Sequence, residues 1–216
     1  MSDAADRTVP ERLAAKSCVD FAAVLASDSP VPGGGGAAAL AGALAAALGA
    51  MASRLSAGRK KTGEEREALR ERIEIADALR QQLLTLIEWD AEGFAPLAAS
   101  YAIPKDEPGR AERLRAASLT ACQAPMEMLR RGAETAELLG ELEQRVSPLL
   151  LSDVGCAAAL CRAALEAAAM NVWVNTRSLK GDAEAEALNA ETRSILETAL
   201  PLTEGIAARV RERLQG

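Results

Sequence analysis

The chain has 216 residues, of which 49% are hydrophobic and only 2% aromatic; it carries a formal net charge of −6 and has no histidine. Alanine and leucine supply most of the apolar bulk, which favours close-packed helices over a β-sheet core. The negative charge disfavours nucleic acid as the main partner. The lack of histidine excludes His-based triads and most catalytic zinc sites, so acid–base chemistry falls to carboxylates, lysines, Tyr101 or bound water.

The cysteines and the N-terminal residues indicate a cytoplasmic protein. Cys18, Cys122, Cys156 and Cys161 lack metal-ligand spacing and fall within helical patterns, which predicts buried free thiols in a reducing compartment. Residues 1–9 are polar and contain no signal-peptide apolar stretch. We expect no metal and no cofactor.

Apolar residues recur at helical spacing along the whole chain, and no stretch alternates as a strand does. The spacing predicts about six helices, with prolines inside three of them, over residues 10–26, 37–57, 64–101, 110–145, 152–178 and 182–214. No internal repeat or long linker divides these segments. The sequence therefore predicts one all-α domain over residues 1–216, a multihelical bundle.

The second predicted helix is preceded by four consecutive glycines, Gly33, Gly34, Gly35 and Gly36. Because glycine has no side chain, the first N–H groups of that helix are uncovered, and an anionic or carbonyl-bearing ligand can approach them closely. A loose turn ahead of a tightly packed helix explains the same residues. No Lys-Ser/Thr pair follows and no strand pattern precedes, which argues against P-loop and dinucleotide motifs.

The uncharged stretch 33–53 is long enough to span a membrane. Its apolar residues are mostly alanine, which favours the membrane only weakly, and Gly42 and Gly49 suit close contact between helices. We therefore expect a helix buried in protein and no membrane partner, with a membrane-associated helical protein as the competing class.

The third predicted helix places one carboxylate, Asp90, among its leucines and isoleucines, whereas Glu88 and Glu92 fall on the polar side. A carboxylate on an apolar face must be paired, hydrogen-bonded or neutral. Functional sites and structural ion pairs both produce this placement, and we favour a functional role.

The fifth predicted helix carries two asparagines and opens with two polar residues. Asn171 and Asn175 are one turn apart on one face, where they could hold a polar ligand or fix the register of the helix. Ser152 and Asp153 open the helix, where capping is the simplest role.

Two basic segments lie between the predicted helices. Arg59, Lys60 and Lys61 follow the second helix, where they could complement its dipole or receive a polyanionic substrate tail. Lys105 lies in the loop after the third helix and has no local explanation beyond a surface lysine.

Together these segments resemble the cyclodeaminase/cyclohydrolase family, which comprises the cyclodeaminase part of formiminotransferase-cyclodeaminase and the stand-alone methenyltetrahydrofolate cyclohydrolases. The resemblance covers residues 21 to about 179, and its motifs occur in the order of the family. They are Gly33–Gly36 within Ser29–Ala39, Gly58–Lys61, Asp90–Phe94, Ile103–Lys105, Ser152–Gly155 and Asn171–Asn175.

The resemblance implies an all-helical homodimer that binds tetrahydrofolate derivatives and acts at the five- and ten-position nitrogens. Asp90 is the first candidate for a catalytic carboxylate and Asp153 the second, and Lys105 would donate a proton or orient the substrate. The remaining matches would bind the substrate: Gly33, Gly34, Gly35, Gly36, Arg59, Lys60, Lys61, Ser152, Asn171 and Asn175.

Two reactions fit this resemblance. A cyclohydrolase opens the methenyl ring with water, and a cyclodeaminase closes the formimino compound and releases ammonia. The four-glycine variant resembles the stand-alone hydrolases, so we expect a cyclohydrolase, with a cyclodeaminase or a non-catalytic folate-binding or scaffold protein as alternatives. Two departures bear on activity: Thr62 stands where the family commonly has tyrosine, and residues 145–151 lack the usual asparagine-containing turn.

Overall fold

A computed structural model of the chain describes residues 12–58 and 62–216. Within these residues there are seven α-helices, two short 3₁₀-helices and no strand, which confirms the all-α prediction. The α-helices are α1 (Cys18–Leu25), α2 (Gly34–Ala57), α3 (Gly63–Tyr101), α4 (Arg110–Ala121), α5 (Gln123–Glu143), α6 (Leu151–Thr176) and α7 (Ala183–Gln215). The 3₁₀-helices are Leu13–Ala15 and Pro148–Leu150.

The prediction of one helix over residues 110–145 is wrong, because α4 ends at Ala121 and α5 begins at Gln123. Contrary to expectation, Pro125 does not kink a continuous helix but lies in the first turn of α5. The N–H groups of a first turn have no hydrogen-bond partner within the helix, so the N–H that proline lacks costs no helical bond there. By contrast, α3 and α7 continue through Pro96 and Pro201.

The N-terminal prediction also differs from the structure. A 3₁₀-turn, Leu13–Ala15, precedes α1, which begins only at Cys18 after the capping residue Ser17. Pro10, where the predicted helix began, lies outside the described residues. The backbone N–H of Ala14 donates to Glu88 on α3 at 2.9 Å, so that Glu88 binds the turn and does not merely face solvent.

Helix α2 lies at the centre of the bundle, against α3, α5 and α6, and α7 packs on α5 and α6. Gly42 explains how closely these helices approach. A Cβ at this position would lie 3.2 Å from a methyl group of Leu83 on α3 and 3.6 Å from the Cβ of Ala164 on α6. A core of alanine and leucine therefore needs little aromatic volume, because the helices themselves are close together.

Two segments, α2 and Pro148–Thr176, have the length and hydropathy of a membrane-spanning helix. In the most apolar 18-residue stretch of each segment, 61% of α2 and 39% of Pro148–Thr176 is buried inside the protein. For α2, this burial is what a central core helix requires, and it agrees with the expectation from its alanine and glycine content.

Helix α3 begins with a reciprocal cap. The hydroxyl of Thr62 accepts from the N–H of Glu65 at 3.2 Å, and the Glu65 carboxylate accepts from the N–H of Thr62 at 2.8 Å. Thr62, one of the departures from the family pattern, therefore stabilises the start of the helix that carries Asp90.

The cysteine prediction holds for two of the four residues. Cys122 and Cys161 are buried, and burial raises the pKa of each thiol to about 12. Cys18 and Cys156 are exposed, contrary to the expectation that all four are buried. Helical spacing shows that a residue lies in a helix, but the neighbouring elements decide which face is covered.

Candidate functional site

A cleft of about 190 Å³ lies where the start of α2, the last third of α3 and the last turns of α6 meet. Six of the residues proposed from the sequence line it together, although they come from three separate parts of the chain. The cleft is lined by Pro30, Val31, Gly33, Gly34, Gly35, Asp90, Phe94, Ala121, Asn171, Val174 and Asn175.

The carboxylate of Asp90 lies directly against the glycines. It accepts a hydrogen bond from the backbone N–H of Gly36. A Cβ on Gly35 would overlap the carboxyl carbon and both carboxyl oxygens of Asp90. The absence of a side chain at Gly35 is therefore what allows the carboxylate to reach the first turn of α2.

The first turn of α2 also faces the cleft. Gly33 is the N-terminal cap residue and has no side chain with which to cap this end of the helix. Gly36 gives its N–H to Asp90, whereas Gly34 and Gly35 line the cleft with their backbone. These N–H groups lie at the positive end of the helix dipole, so a carbonyl or an anion in the cleft can accept from them.

Burial raises the pKa of Asp90 from 3.8 to about 6, and the hydrogen bond from Gly36 opposes part of that increase. No basic side chain in the part of the chain that the structure describes contributes to this shift. The alternative of a structural ion pair therefore has no support among those residues. A carboxyl group with this pKa can both accept and return a proton near neutral pH.

The two asparagines present their amides to the same cleft. The Nδ2 group of Asn171 donates to the carbonyl of Ala167 at 2.8 Å, and that of Asn175 donates to the carbonyl of Ala121 at 3.1 Å. The second bond ties α6 to the last residue of α4. Because these bonds use only the nitrogen, each amide oxygen can accept from a ligand.

Asn171 also packs against the first turn of α2, at Gly34. A Cβ on Gly34 would lie 3.4 Å from Nδ2 of Asn171. Asn175 therefore ties α6 to α4, Asn171 packs against the first turn of α2, and both amides line the cleft, so the two roles considered from the sequence are compatible.

Ser152 and Asp153 lie at the other end of α6. The stretch of helix between Ser152 and Asn171 is about 28 Å long. The expected capping role is absent, since the cap residue is Leu150 and no side chain of the described residues accepts there. Ser152 instead lines a groove between α6 and the end of α7.

None of the remaining predicted residues that the structure describes lines the cleft. Lys105 is exposed in the loop between α3 and α4 and is not among the described residues that line the cleft. Arg59, Lys60 and Lys61 lie outside the described residues. The preceding basic residue, Arg54, forms an ion pair with Asp77 on α3.

The cleft also has an apolar wall that was not predicted from the sequence and consists of Pro30, Val31, Phe94, Ala121 and Val174. Helical spacing contained a signal for two of them. Phe94 lies four residues after Asp90 and Val174 three residues after Asn171, so each shares a helix face with a predicted polar residue. Such a wall suits a flat, largely apolar ligand with polar edges.

Comparisons with known proteins agree with the resemblance. The family described as formiminotransferase-cyclodeaminase matches residues 17–194. A methenyltetrahydrofolate cyclohydrolase from Methylorubrum extorquens is 34% identical over 194 residues, covering 88% of this chain and 93% of the relative. A formimidoyltransferase-cyclodeaminase from Rattus norvegicus is 28% identical over 183 residues, but the match spans only 34% of that longer protein.

A solved structure gives the same result at the level of the fold. The crystal structure of formiminotetrahydrofolate cyclodeaminase from Thermotoga maritima superposes with a TM-score of 0.79 at 27% identity, covering 94% of this chain and 97% of the other. With the family match over most of its length and a relative that is 34% identical, the chain belongs to the formiminotransferase-cyclodeaminase family.

Proposed function

We propose that the protein hydrolyses 5,10-methenyltetrahydrofolate to 10-formyltetrahydrofolate. The relative with 34% identity, which aligns over 93% of its own length, is named for this activity. The observation that carries the proposal is the Asp90 carboxyl group, held in a cleft against the first turn of α2 with its pKa raised to about 6.

The reaction adds water to one carbon and then breaks a bond from that carbon to nitrogen, so it needs first a proton acceptor for the water and then a proton donor for the nitrogen. The oxygen of water bonds to the methenyl carbon, which lies between two nitrogens of the cationic ring, and Asp90 accepts one proton. The bond from that carbon to the five-position nitrogen then breaks, and this nitrogen takes the electron pair and the proton from Asp90. The second proton of the water is released as the formyl carbonyl forms. A carboxylate also stabilises the cationic substrate before attack.

The other residues of the cleft bind the substrate in this proposal. The amide oxygens of Asn171 and Asn175 accept from the N–H edge of the pterin, and the N–H groups of Gly34 and Gly35 donate to its carbonyl oxygen or to the oxygen of the intermediate. Phe94 and Val174 cover the ring faces. Lys105 would have to approach from its loop to orient the substrate or donate a proton.

We further propose that the protein is a homodimer formed through α2 and α6. These neighbouring helices carry exposed apolar side chains: Leu44, Met51 and Leu55 on α2, and Met170 and Val174 on α6. A second copy of the chain would remove this apolar surface from water.

An antiparallel dimer would also account for the predicted residues that lie far from the cleft. Ala163 lies midway between Ser152 and Val174 along α6. If two α6 helices cross there about a two-fold axis, Ser152 and Asp153 of one copy approach the Val174 end of the other.

The test follows the absorbance of methenyltetrahydrofolate with and without the protein, corrected for spontaneous hydrolysis and repeated in a chelator. We expect faster loss of absorbance with the protein and the same rate in the chelator, because the proposed chemistry uses no metal. For Asp90→Asn, we expect turnover to fall at least about a hundredfold, the range for a lost acid–base group. Folding should survive, since the amide keeps the shape.

Two glycine variants control for position. Gly35→Ala places a methyl group in the space of the Asp90 carboxylate, whereas Gly58→Ala at the other end of α2 meets no described atom within 4 Å. Only the first should reduce turnover. Release of ammonia from formiminotetrahydrofolate without hydrolysis of the methenyl compound would instead assign the cyclodeaminase reaction. Normal turnover by folded Asp90→Asn would remove Asp90 from the mechanism, and binding without any turnover would identify a folate-binding protein.

A further inference from the structure

A second groove, of about 530 Å³, lies at the turn between α6 and α7. Its polar lining is dominated by cations, since Arg177, Lys180 and Arg193 face one acidic residue, Glu186. Trp173, which is 39% exposed, supplies a flat apolar surface beside them.

These three cations differ from most arginines of the neighbouring helices in their contacts. None of the three forms an ion pair or a hydrogen bond with another described residue. Arginines close by do have partners: Arg115 pairs with Asp182, the cap residue of α7, and Arg130 pairs with Glu191 on α7. Unpaired like charges that share one groove repel each other, and a bound anion would relieve that repulsion.

An amide in the groove is also available to a ligand. The hydroxyl of Thr176 donates to Oδ1 of Asn189 at 2.9 Å, which leaves the Nδ2 group of Asn189 as a donor beside the cations. The groove therefore combines three positive charges, an amide donor and an indole. This set suits a chain of carboxylates attached to an aromatic ring.

The groove is close to the cleft that contains Asp90. Val174 and Asn175 line the cleft, whereas Trp173 and Thr176, in the same turn of α6, line the groove. The two sites are therefore separated by roughly the width of one helix, about 10–12 Å. An aromatic linker with its first carboxylate can cross that distance.

We propose that this groove binds the glutamate tail of the folate substrate, with the aminobenzoyl end near Trp173 and successive carboxylates on Lys180, Arg177 and Arg193. The proposal rests on the function proposed above, because it takes its ligand from that reaction. It differs from the expectation that Arg59, Lys60 and Lys61 receive the tail. Within one chain, α2 has 24 residues, so its C-terminal end lies about 36 Å from its glycines.

The experiment measures binding without requiring turnover. The probes are p-aminobenzoyl-pentaglutamate and p-aminobenzoyl-monoglutamate, and the signal is the fluorescence of Trp173 in a Trp89→Phe background. Trp89 lines a different groove, between α3 and α5. Arg193→Glu reverses one charge of the groove, and Arg193→Lys is the matched control because it changes the side chain but keeps the charge.

We expect Arg193→Glu to weaken binding of the pentaglutamate at least about fivefold, and Arg193→Lys less than about twofold, with little change for the monoglutamate. Added salt should reduce the difference between the two probes. Wild-type binding by Arg193→Glu would overturn the proposal. So would loss of pentaglutamate binding only on charge reversal at Arg59, Lys60 and Lys61, which would assign the tail to those three residues instead.

This design separates the two proposals. Tail binding that depends on Arg193, in a protein that does not hydrolyse methenyltetrahydrofolate, would support the groove and contradict the hydrolase activity. Hydrolysis with equal binding of both probes would support the activity and contradict the groove.

Discussion

Among single residues, Asp90 is subject to two opposing influences. Its surroundings remove water and favour the neutral acid, whereas the N–H of Gly36 favours the carboxylate. Burial has the larger effect, so the folded protein holds the proton more tightly than the unfolded chain does. A carboxyl group in this state can shuttle protons at neutral pH, but its ionisation is unfavourable to folding.

The consequence for stability has a definite sign. Because the pKa of Asp90 is about 6 in the folded protein and 3.8 in its ordinary state, its contribution to stability is complete below pH ~4 and is lost as the pH rises through about 6. Asp90→Asn cannot ionise. We therefore expect the stability of this variant, relative to the wild type, to increase between about pH 4 and pH 6 and then to level off.

The measurement is the urea midpoint of both proteins at several pH values across that range. Other titrating groups are common to the two proteins and cancel in the difference. A difference that does not change with pH would mean that Asp90 titrates near its ordinary pKa, and the proton-shuttle role would lose its basis.

Among the helices, α5 and α7 are joined through a buried carboxylate. The side chain of Glu143, at the end of α5, is fully buried and accepts from Nε and Nη2 of Arg209 on α7 at 3.0 and 2.7 Å. Arg213, one turn further along α7, lies 3.3 Å from the same carboxylate. This interaction fixes the last third of α7 against the core, far from the cleft.

Arg209→Ala tests this interaction. The variant leaves the buried carboxylate with Arg213 alone, and we expect a loss of about 2 kcal/mol in the free energy of unfolding. The figure is below that for a fully buried pair because the Arg209 side chain is 48% exposed. The control is Arg211→Ala on the same helix. Arg211 has no ion-pair partner among the described residues, so this change should alter stability by less than about 0.5 kcal/mol.

Chemical denaturation of the two variants gives this comparison, and turnover per folded molecule should be unchanged in both. Equal stability of Arg209→Ala and Arg211→Ala would show that the carboxylate does not depend on Arg209.

For the molecule as a whole, the main prediction is that the protein forms a dimer in solution. We expect light scattering in buffer without detergent to give about twice the monomer mass of 22.5 kDa. Leu44→Glu, on the exposed apolar face of α2, should shift the protein towards the monomer, because a charge buried in an apolar interface is unfavourable. Ile75→Glu on α3 is the matched control, since both residues are about half exposed.

Turnover adds a second measurement. If Ser152 and Asp153 of one copy complete the cleft of the other, the Leu44→Glu monomer should lose activity in parallel with the dimer. A monomeric wild type would contradict the dimer, and a fully active monomer would contradict the shared site.

Local patterns in the amino-acid sequence were sufficient to establish the class of the fold and about half of the cleft. Helical spacing and a composition rich in alanine and leucine are local properties, so the helices of this all-α chain could be recognised without their neighbours. Asp90 could be identified because a carboxylate on an apolar helix face is anomalous whatever covers it. The glycines and the asparagine pair were visible as motifs, but their roles were not.

Which residues meet depends on how the helices pack. The contact between Gly35 and Asp90 joins the start of α2 to the last third of α3, and no local pattern specifies it. The separation of Ser152 from Asn171 follows from the rigidity of α6, which holds the two ends of one helix apart. The break at Cys122 and the exposure of Cys18 and Cys156 likewise depend on how neighbouring helices cover each face, because burial is a property of the packed bundle and not of the segment.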